Sequence, residues 1–141
     1  MGRPEILAAL AGLLLTTPAV AAGRGDAAAT ALEACLARPD SQSTGGQTDC
    51  QQAALAAYDR RMNAAYGRLL RALPSAAGGD LRTAQRAWIG FRDAEKVARS
   101  SFFATRHGTM YVPMEAQAEL ALTRDRALAL EAYERVLAIE D

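Results

Sequence analysis

The chain has 141 residues, half of them hydrophobic, and its 16 basic side chains balance 16 acidic ones, so its formal net charge is zero. This length fits one domain that can bury a core without metal or cofactor, and zero net charge argues against nucleic acid as a partner. Much of the hydrophobic content is alanine, with one Trp, three Phe and four Tyr as large aromatic side chains, so we expect closely packed helices and little β-structure.

Residues 1–22 have the pattern of a secretory signal peptide. A basic start at Arg3 is followed by an apolar run over residues 6–15 and by small residues at 19–22, the order that such peptides show. A membrane anchor is the alternative, but the run is shorter than the roughly 20 residues that a spanning helix needs. We therefore predict cleavage at the end of this segment and export to the periplasm or the extracellular space, with no stable membrane anchor.

Charge is unevenly distributed along the chain. Residues 59–106 contain ten basic and four acidic side chains, whereas residues 107–141 contain seven acidic and three basic ones. Two antiparallel helices with opposite charges side by side would explain this asymmetry, and we favour that explanation over a charged binding patch.

Cys35 and Cys50 are the two cysteines, and an exported protein meets an oxidising compartment. We predict a disulfide between them, which by chain-entropy arguments would stabilise the fold by roughly 3 kcal/mol at most. A zinc site is a poor alternative, because one distant histidine, His107, does not supply the close pairs of ligands that zinc sites show. No metal and no cofactor are expected.

After the signal peptide we predict an N-terminal segment, residues 23–47, and a helical bundle domain, residues 48–141. Apolar residues recur at spacings of three and four, the period of helices that bury one face, and stretches with Gly or Pro separate them. The predicted fold class is all-α: a small antiparallel bundle of three long helices, with a short N-terminal helix tied on by the disulfide. The predicted helices cover residues 28–37, 48–73, 80–105 and 113–139.

Capping residues support three of these boundaries. Thr48 and Gln51 have the spacing of a capping box at the start of the second helix. Asp80 can cap the third helix after a short turn at 75–79, and Pro113 suits the first turn of the fourth.

The stretch 84–95 is expected to organise the core, because it contains the single tryptophan, Trp88. Apolar residues share the helical face of Trp88, and stripes on two other helices should pack against that face. We therefore predict that Trp88 is a core residue rather than a ligand platform. The face comprises Leu81, Ala84, Trp88, Phe91, Ala98 and Phe102, and the stripes comprise Leu55, Tyr58, Met62, Tyr66, Leu69 and Leu73 on the second helix and Leu122, Leu130, Tyr133 and Leu137 on the fourth.

Four polar side chains lie in or beside these stripes: Asp59 and Asn63 on the second helix, Arg92 on the third and Arg126 on the fourth. Helical geometry permits them to converge, with an arginine making a bidentate contact to Asp59, which would offset the cost of burying them. A pocket with two arginines for an anionic ligand is the alternative. We favour a structural network that fixes the register of the helices.

The sequence shows no evident catalytic centre. Acid–base chemistry needs a perturbed carboxylate or histidine near the reacting group, yet His107 is alone in a predicted loop and Glu95 lies among charged neighbours. No serine or threonine has an evident base nearby in the sequence, and the cysteines are expected to be oxidised. We therefore predict that the protein is not an enzyme.

Four blocks occur in a characteristic order: Cys50, then residues 59–66 (DRRMNAAY), then residues 84–95 (AQRAWIGFRDAE), then the segment 123–130 with its T-x-x-R motif. From Cys35 to Leu130 the chain resembles the LprI-type lysozyme inhibitor family of small exported bacterial proteins. The resemblance implies a helical exported protein that binds a protein partner, with lysozyme as the candidate. The matching signature positions, implied to be structural or binding residues, are Asp59, Asn63, Tyr66, Gln85, Trp88, Arg92, Asp93, Thr123 and Arg126.

One departure from the family pattern concerns a second disulfide. The family usually has a cysteine directly after the R-D-A-E run and another shortly before the T-x-x-R block. Here Lys96 stands at the first place, and no cysteine lies between Lys96 and Thr123. The loop over residues 106–112 is therefore expected to be held by packing alone.

Two functions are consistent with the sequence. In the first, the exported protein binds and inhibits a lysozyme-type cell-wall hydrolase; in the second, it is a structural or interaction module of the envelope with another partner and no lysozyme inhibition. Inhibitors of glycan hydrolases often insert a protruding loop into the substrate cleft, and a basic lysozyme would be attracted to an acidic helix. The candidate contacts are Arg106, His107, Met110 and Tyr111 in the loop and Glu115, Glu119 and Glu131 on the fourth helix.

Overall fold

The computed structural model describes residues 25–139. Within this range the chain forms four α-helices and one short 3₁₀ turn, with no strand, which confirms the predicted all-α fold. The predicted signal peptide, residues 1–22, lies outside the described residues. The elements are α1 (Ala27–Leu36), the 3₁₀ turn (Pro39–Ser41), α2 (Thr44–Ala72), α3 (Ser75–Ala104) and α4 (Tyr111–Leu137).

The start of α2 lies four residues before the predicted one. Ser43 is the N-cap, and its hydroxyl accepts a hydrogen bond from the Gly46 N–H at 3.0 Å. The predicted capping box is wrong: Thr48 lies inside the helix, where its hydroxyl donates to the Thr44 carbonyl at 2.8 Å. Gly46 lies inside the helix, not in a loop, and the backbone of the 3₁₀ turn packs closely against it. An added Cβ at Gly46 would lie only 2.6 Å from the Ser41 Cα atom.

The connection between α2 and α3 is also shorter than predicted. Only Leu73 and Pro74 separate the two helices, and α3 begins at Ser75, so the predicted turn over 75–79 is wrong. Proline fixes the extended entry into the helix, and the Pro74 carbonyl accepts from the Gly78 N–H at 2.9 Å. Asp80 therefore lies within α3 and does not cap it.

The core is formed mainly between α2 and α4, which contact each other far more extensively than either contacts α3. Large side chains alternate there with alanines, which let the two backbones approach closely. Leu55, Tyr66 and Leu73 of the predicted α2 stripe pack against this core at half-buried positions. The buried core residues are Cys50, Ala54, Tyr58, Met62, Ala65 and Leu69 on α2, Leu120, Ala127 and Leu130 on α4, and Ala28 on α1.

The predicted inner face of α3 is partly wrong. Trp88 and Leu81 do pack against the core at half-buried positions, but the exposed fractions of Phe91 and Phe102 are 54% and 56%. The buried side of α3 instead includes Gln85 and Arg99, because both find polar groups on α4. Ala84 and Ala98 are exposed, as are Tyr133 and Leu137 of the predicted α4 stripe.

Helix α1 is joined to α2 by the predicted disulfide between Cys35 and Cys50, whose Cα atoms lie 5.7 Å apart. A cluster of polar side chains forms a second connection. Asp26, the N-cap of α1, accepts hydrogen bonds from the Tyr58 hydroxyl at 2.7 Å and from the Arg61 guanidinium at 2.5 Å.

The same Arg61 side chain connects α2 to α4. Its Nε and Nη2 atoms donate to the two carboxylate oxygens of Glu131 at 2.8 and 2.7 Å. A bidentate arginine–carboxylate pair is among the stronger polar contacts in proteins. Three helices therefore meet at one guanidinium, in a group that we call the Arg61 cluster: Asp26, Tyr58, Arg61 and Glu131.

The Arg61 cluster shifts the ionisation of its members. Burial alone would raise the pKa of Asp26, but hydrogen bonds from Tyr58, from the Ala29 backbone and from Arg61 outweigh it and hold that pKa below its usual value. The hydrogen bonds from Arg61 lower the pKa of Glu131 as well, although burial opposes them. Burial and the bond to Asp26 raise the pKa of Tyr58 to about 12.

These shifts predict how stability depends on pH. The lowered pKa values of Asp26 and Glu131 stabilise the fold above the carboxylates' ordinary pKa of about 4, and this contribution is lost as the pH falls further. The raised pKa of Tyr58 stabilises the fold below about pH 10 and is lost as the pH rises towards about 12. We expect the free energy of unfolding, measured with denaturant, to be nearly constant between these limits and to fall on both sides.

Two variants test this pH profile. Tyr58→Phe should remove the Tyr58 contribution to the alkaline loss. Asp26→Asn should reduce the acid loss and, because Asp26 also raises the pKa of Tyr58, part of the alkaline loss. An unchanged pH profile in both variants would contradict the assigned role of the cluster.

The half-buried position of Trp88 predicts a moderate effect of its removal. Trp88→Ala should lower the free energy of unfolding by about 2 kcal/mol, below the roughly 3–5 kcal/mol typical of a fully buried ring. Val97→Ala is the control, because the Val97 side chain is 68% exposed on the same helix and should change stability by no more than about 0.5 kcal/mol. Equal losses in the two variants would contradict the described packing of α3.

Candidate functional site

The signature residues of α3 and α4 meet around Trp88. The Gln85 side chain is buried, and its carbonyl oxygen accepts a hydrogen bond from Arg126 Nε at 2.9 Å. The guanidiniums of Arg92 and Arg126 lie 5.4 and 6.0 Å from the centre of the Trp88 ring. Cation–π attraction at these distances favours the positions of both guanidiniums over the ring. The contacts of Arg126 with Gln85 and Trp88 thus hold α3 against α4.

The predicted network around Asp59 forms only in part. Asn63 donates to the Asp59 carboxylate at 3.1 Å, but Arg92 pairs with its sequence neighbour Asp93 at 2.8 Å instead of with Asp59. The predicted bidentate contact of an arginine to Asp59 is therefore wrong. One open cleft of about 340 Å³ between the helices is lined instead by Asp59, Arg92, Asp93 and Thr123.

Other signature residues support the core. Thr123 is only 3% exposed and lies between the buried Leu120 and Ala127 on α4. Tyr66 packs at a half-buried position against the hydrophobic core from α2. Both side chains thus contribute to packing, and Thr123 also lines the cleft described above.

The connection between α3 and α4 contains most of the predicted contact residues. The Arg106 guanidinium lies 5.3 Å from the centre of the Phe102 ring, and His107 precedes Gly108, whose φ of +111° favours glycine. Met110 is 60% exposed. Tyr111 differs from expectation, because it begins α4 and is half-buried rather than part of an exposed loop.

Three large apolar side chains are exposed at the start of α4: Met110, Val112 and Met114. We call this group the Met110 end. Two of them, Met110 and Met114, line a groove of about 520 Å³ together with polar residues of α2. The Gln51 side-chain oxygen in this groove is buried and accepts no hydrogen bond from the described residues.

Four basic side chains of α2 and α3 pair with carboxylates of α4. The predicted antiparallel arrangement of opposite charges holds for α3 and α4, whereas α2 and α4 run parallel. Arg68 on α2 makes a bidentate contact with Glu134 on α4, as Arg61 does with Glu131. On α3, Lys96 Nζ and Arg99 Nη2 lie 4.0 and 3.9 Å from the Glu119 carboxylate. The ion pair of Lys96 thus joins α3 to α4 at the position where the family pattern places a cysteine.

Some of the most connected residues were not recognised in the sequence. Asp26 and Arg61 organise the Arg61 cluster, and Arg99 is buried on α3. The role of Asp26 as a helix cap could have been predicted from the sequence, because an aspartate directly before a run of alanines is a common helix start. Arg61 and Arg99 had no such local signal, because their partners on α1 and α4 lie far away in the sequence.

The described part of the chain, residues 25–139, places no three His, Cys, Asp or Glu side chains where they could jointly hold a metal ion. Nor does any helix in that part have the length and apolar character needed to cross a membrane.

A comparison with solved structures found a protein of similar fold. A crystal structure of an uncharacterised protein from Burkholderia thailandensis is similar, with 34% sequence identity and a TM-score of 0.78. The similarity covers 82% of this chain and 57% of that chain, so this chain spans little more than half the length of that protein. No curated protein matches the chain.

A family model described as lysozyme inhibitor LprI matches residues 35–130. The match includes both cysteines, the Trp88 region and most of α4. It covers more than half of the chain, and the chain therefore belongs to the LprI lysozyme inhibitor family.

Proposed function

We propose that this protein is an exported inhibitor that binds a lysozyme-type cell-wall hydrolase and blocks its substrate cleft. Family membership over residues 35–130 is the observation that carries the proposal. Inhibition would be stoichiometric, because the described residues offer apolar and charged surface for binding rather than a reactive group.

Export is part of the proposal and rests on two features. Residues 1–22 have the order of a secretory signal, and Cys35 and Cys50 form a disulfide, the state that an oxidising compartment favours. The periplasm or the extracellular space is also where a protein would meet a lysozyme.

The Met110 end is the proposed contact with the hydrolase. Its three exposed side chains, Met110, Val112 and Met114, lie at the junction of α3 and α4. Met110 and Met114 share one side of the helix, where they line the groove. Methionine adapts its shape to a partner surface more readily than branched side chains do.

Acidic residues near the Met110 end would attract a basic lysozyme. Glu115 lies one residue beyond Met114 and accepts a hydrogen bond from Ser100 at 2.7 Å, near the surface. Glu131 is excluded from this role, because Arg61 occupies both of its carboxylate oxygens. Steering by exposed charges should weaken as ionic strength rises above about 0.15 M, where the screening length is roughly 8 Å.

The test is a titration of a basic lysozyme with the purified protein on a cell-wall suspension. Hydrolysis should fall and reach its minimum near one inhibitor per enzyme, with weaker inhibition at high salt. Full hydrolysis at a several-fold molar excess, in low salt and with the disulfide intact, would contradict the proposal.

A pair of variants locates the contact. Met110→Asp places a charge at the proposed contact and should weaken inhibition at least tenfold, since a hot-spot residue contributes more than about 1.4 kcal/mol. Val136→Asp is the matched control, because Val136 is 64% exposed at the other end of α4, and it should inhibit normally. Both variants should keep the wild-type melting temperature. Equal inhibition by the two variants would exclude the Met110 end as the contact.

A further inference from the structure

An exposed stripe that carries two phenylalanine rings runs along α3. The stripe consists of residues spaced four, three and four apart in the sequence, which therefore share one face of the helix. These residues are Phe91, Glu95, Ala98 and Phe102. The two phenylalanines are 54% and 56% exposed, and Glu95 and Ala98 are exposed as well. A monomer gains nothing from leaving two such rings in water, because each would contribute burial energy if covered.

This stripe borders an open groove of about 660 Å³ between α3 and α4. Ala118, Leu122 and Asp125 of α4 form its other wall. Arg99 lies at its base with only 8% of its surface exposed. Arg99 Nη2 is 3.9 Å from Glu119, while its buried Nε atom has no acceptor among residues 25–139.

The charges around the groove decide what kind of partner fits. Its lining contains two carboxylates, Glu95 and Asp125, and one guanidinium, Arg99. A uniformly basic or uniformly acidic partner would therefore meet a like charge as well as an opposite one, which costs binding energy. A partner that carries both signs beside large apolar side chains fits better.

From these observations we infer that the α3 stripe is the interface of a homodimer, in which the α3 helices of two copies pack antiparallel about a two-fold axis. Such an axis between Lys96 and Val97 places Phe91 against Phe102 of the second copy. It also places Glu95 beside Ala98 and Arg99 of the second copy, so that each copy supplies a carboxylate near the other's buried arginine. The interface is isologous, as two-fold symmetry requires. A parallel pairing is disfavoured, because it would bring the two Glu95 carboxylates together.

The expected affinity is modest. Each aromatic side chain offers about 150–250 Å² of surface, so four half-exposed rings and their neighbours provide an interface at the lower end of specific complexes. We expect a dissociation constant of about 1–100 μM. This inference does not rest on lysozyme inhibition, because the proposed contact for lysozyme is the Met110 end.

Sedimentation velocity of the protein purified after expression of the full chain tests the inference. The weight-average mass should rise from monomer to dimer over about 1–500 μM, the range set by the expected affinity. Phe91→Asp should raise the dissociation constant at least tenfold. Val97→Asp, on the opposite side of α3, should leave it unchanged and is the matched control. A monomer at the highest concentration, or equal effects of the two variants, would overturn the inference.

Chemical cross-linking tests the antiparallel geometry independently. Ala98→Cys brings two thiols close across the proposed two-fold axis, so a short bismaleimide should link the copies in high yield. Val97→Cys, which points away from the interface, should give little product, and the native cysteines are protected as a disulfide. Both substitutions lie at exposed positions, and circular dichroism will verify that both variants remain folded. Equal cross-linking of the two variants would overturn the proposed face.

Discussion

The guanidinium of Arg61 is the contact on which the arrangement of α1, α2 and α4 depends. It places a positive charge between Asp26 and Glu131, two carboxylates that would otherwise raise each other's pKa at close range. With Arg61 present, both carboxylates stay ionised and each connects a different helix to α2. Breaking a partly buried pair of this kind is costly, since it leaves a charge without its partner.

The fold therefore divides into a compact pair, α2 with α4, and a third helix that covers them incompletely. Trp88 and Gln85 attach α3 to α4 through Arg126, while much of the apolar surface of α3 stays exposed. This division suits a binding protein, because a firm scaffold can present surface without reorganising on contact. The Met110 end and the α3 stripe are two separate groups of exposed apolar side chains, and the two proposals made above assign a different partner to each.

The sequence predicted the α2 stripe and the disulfide well, because both follow from local or compositional rules. Tyr58, Met62 and Leu69 lie one or two turns apart on a single face, and burial of that face needs no knowledge of the partner. The α3 face was less predictable. Phe91 has a larger hydrophobic area than Gln85, yet Gln85 is buried because Arg126 on α4 donates to it. Hydrophobicity along one helix cannot reveal such a pairing across helices.

Glycines misled the boundary predictions for a related reason. Gly46 and Gly78 suggested loops, since glycine commonly marks turns. In the fold they lie inside helices, and Gly46 admits the backbone of the 3₁₀ turn, a contact that depends on tertiary structure. The Asp59 network failed because Asp93, adjacent to Arg92 in the sequence, pairs with it first. Local competition of this kind is visible only when all candidate partners are placed in three dimensions.

The central claim, that Arg61 and Glu131 jointly fix α2 against α4, is tested most directly by a double-mutant cycle. The free energies of unfolding of the wild type, Arg61→Met, Glu131→Gln and the double variant give the coupling between the two side chains. This account predicts a coupling of more than about 1 kcal/mol, within the range found for residues in direct contact. Losses that add to within about 0.3 kcal/mol would show that the two side chains act independently and would contradict the account.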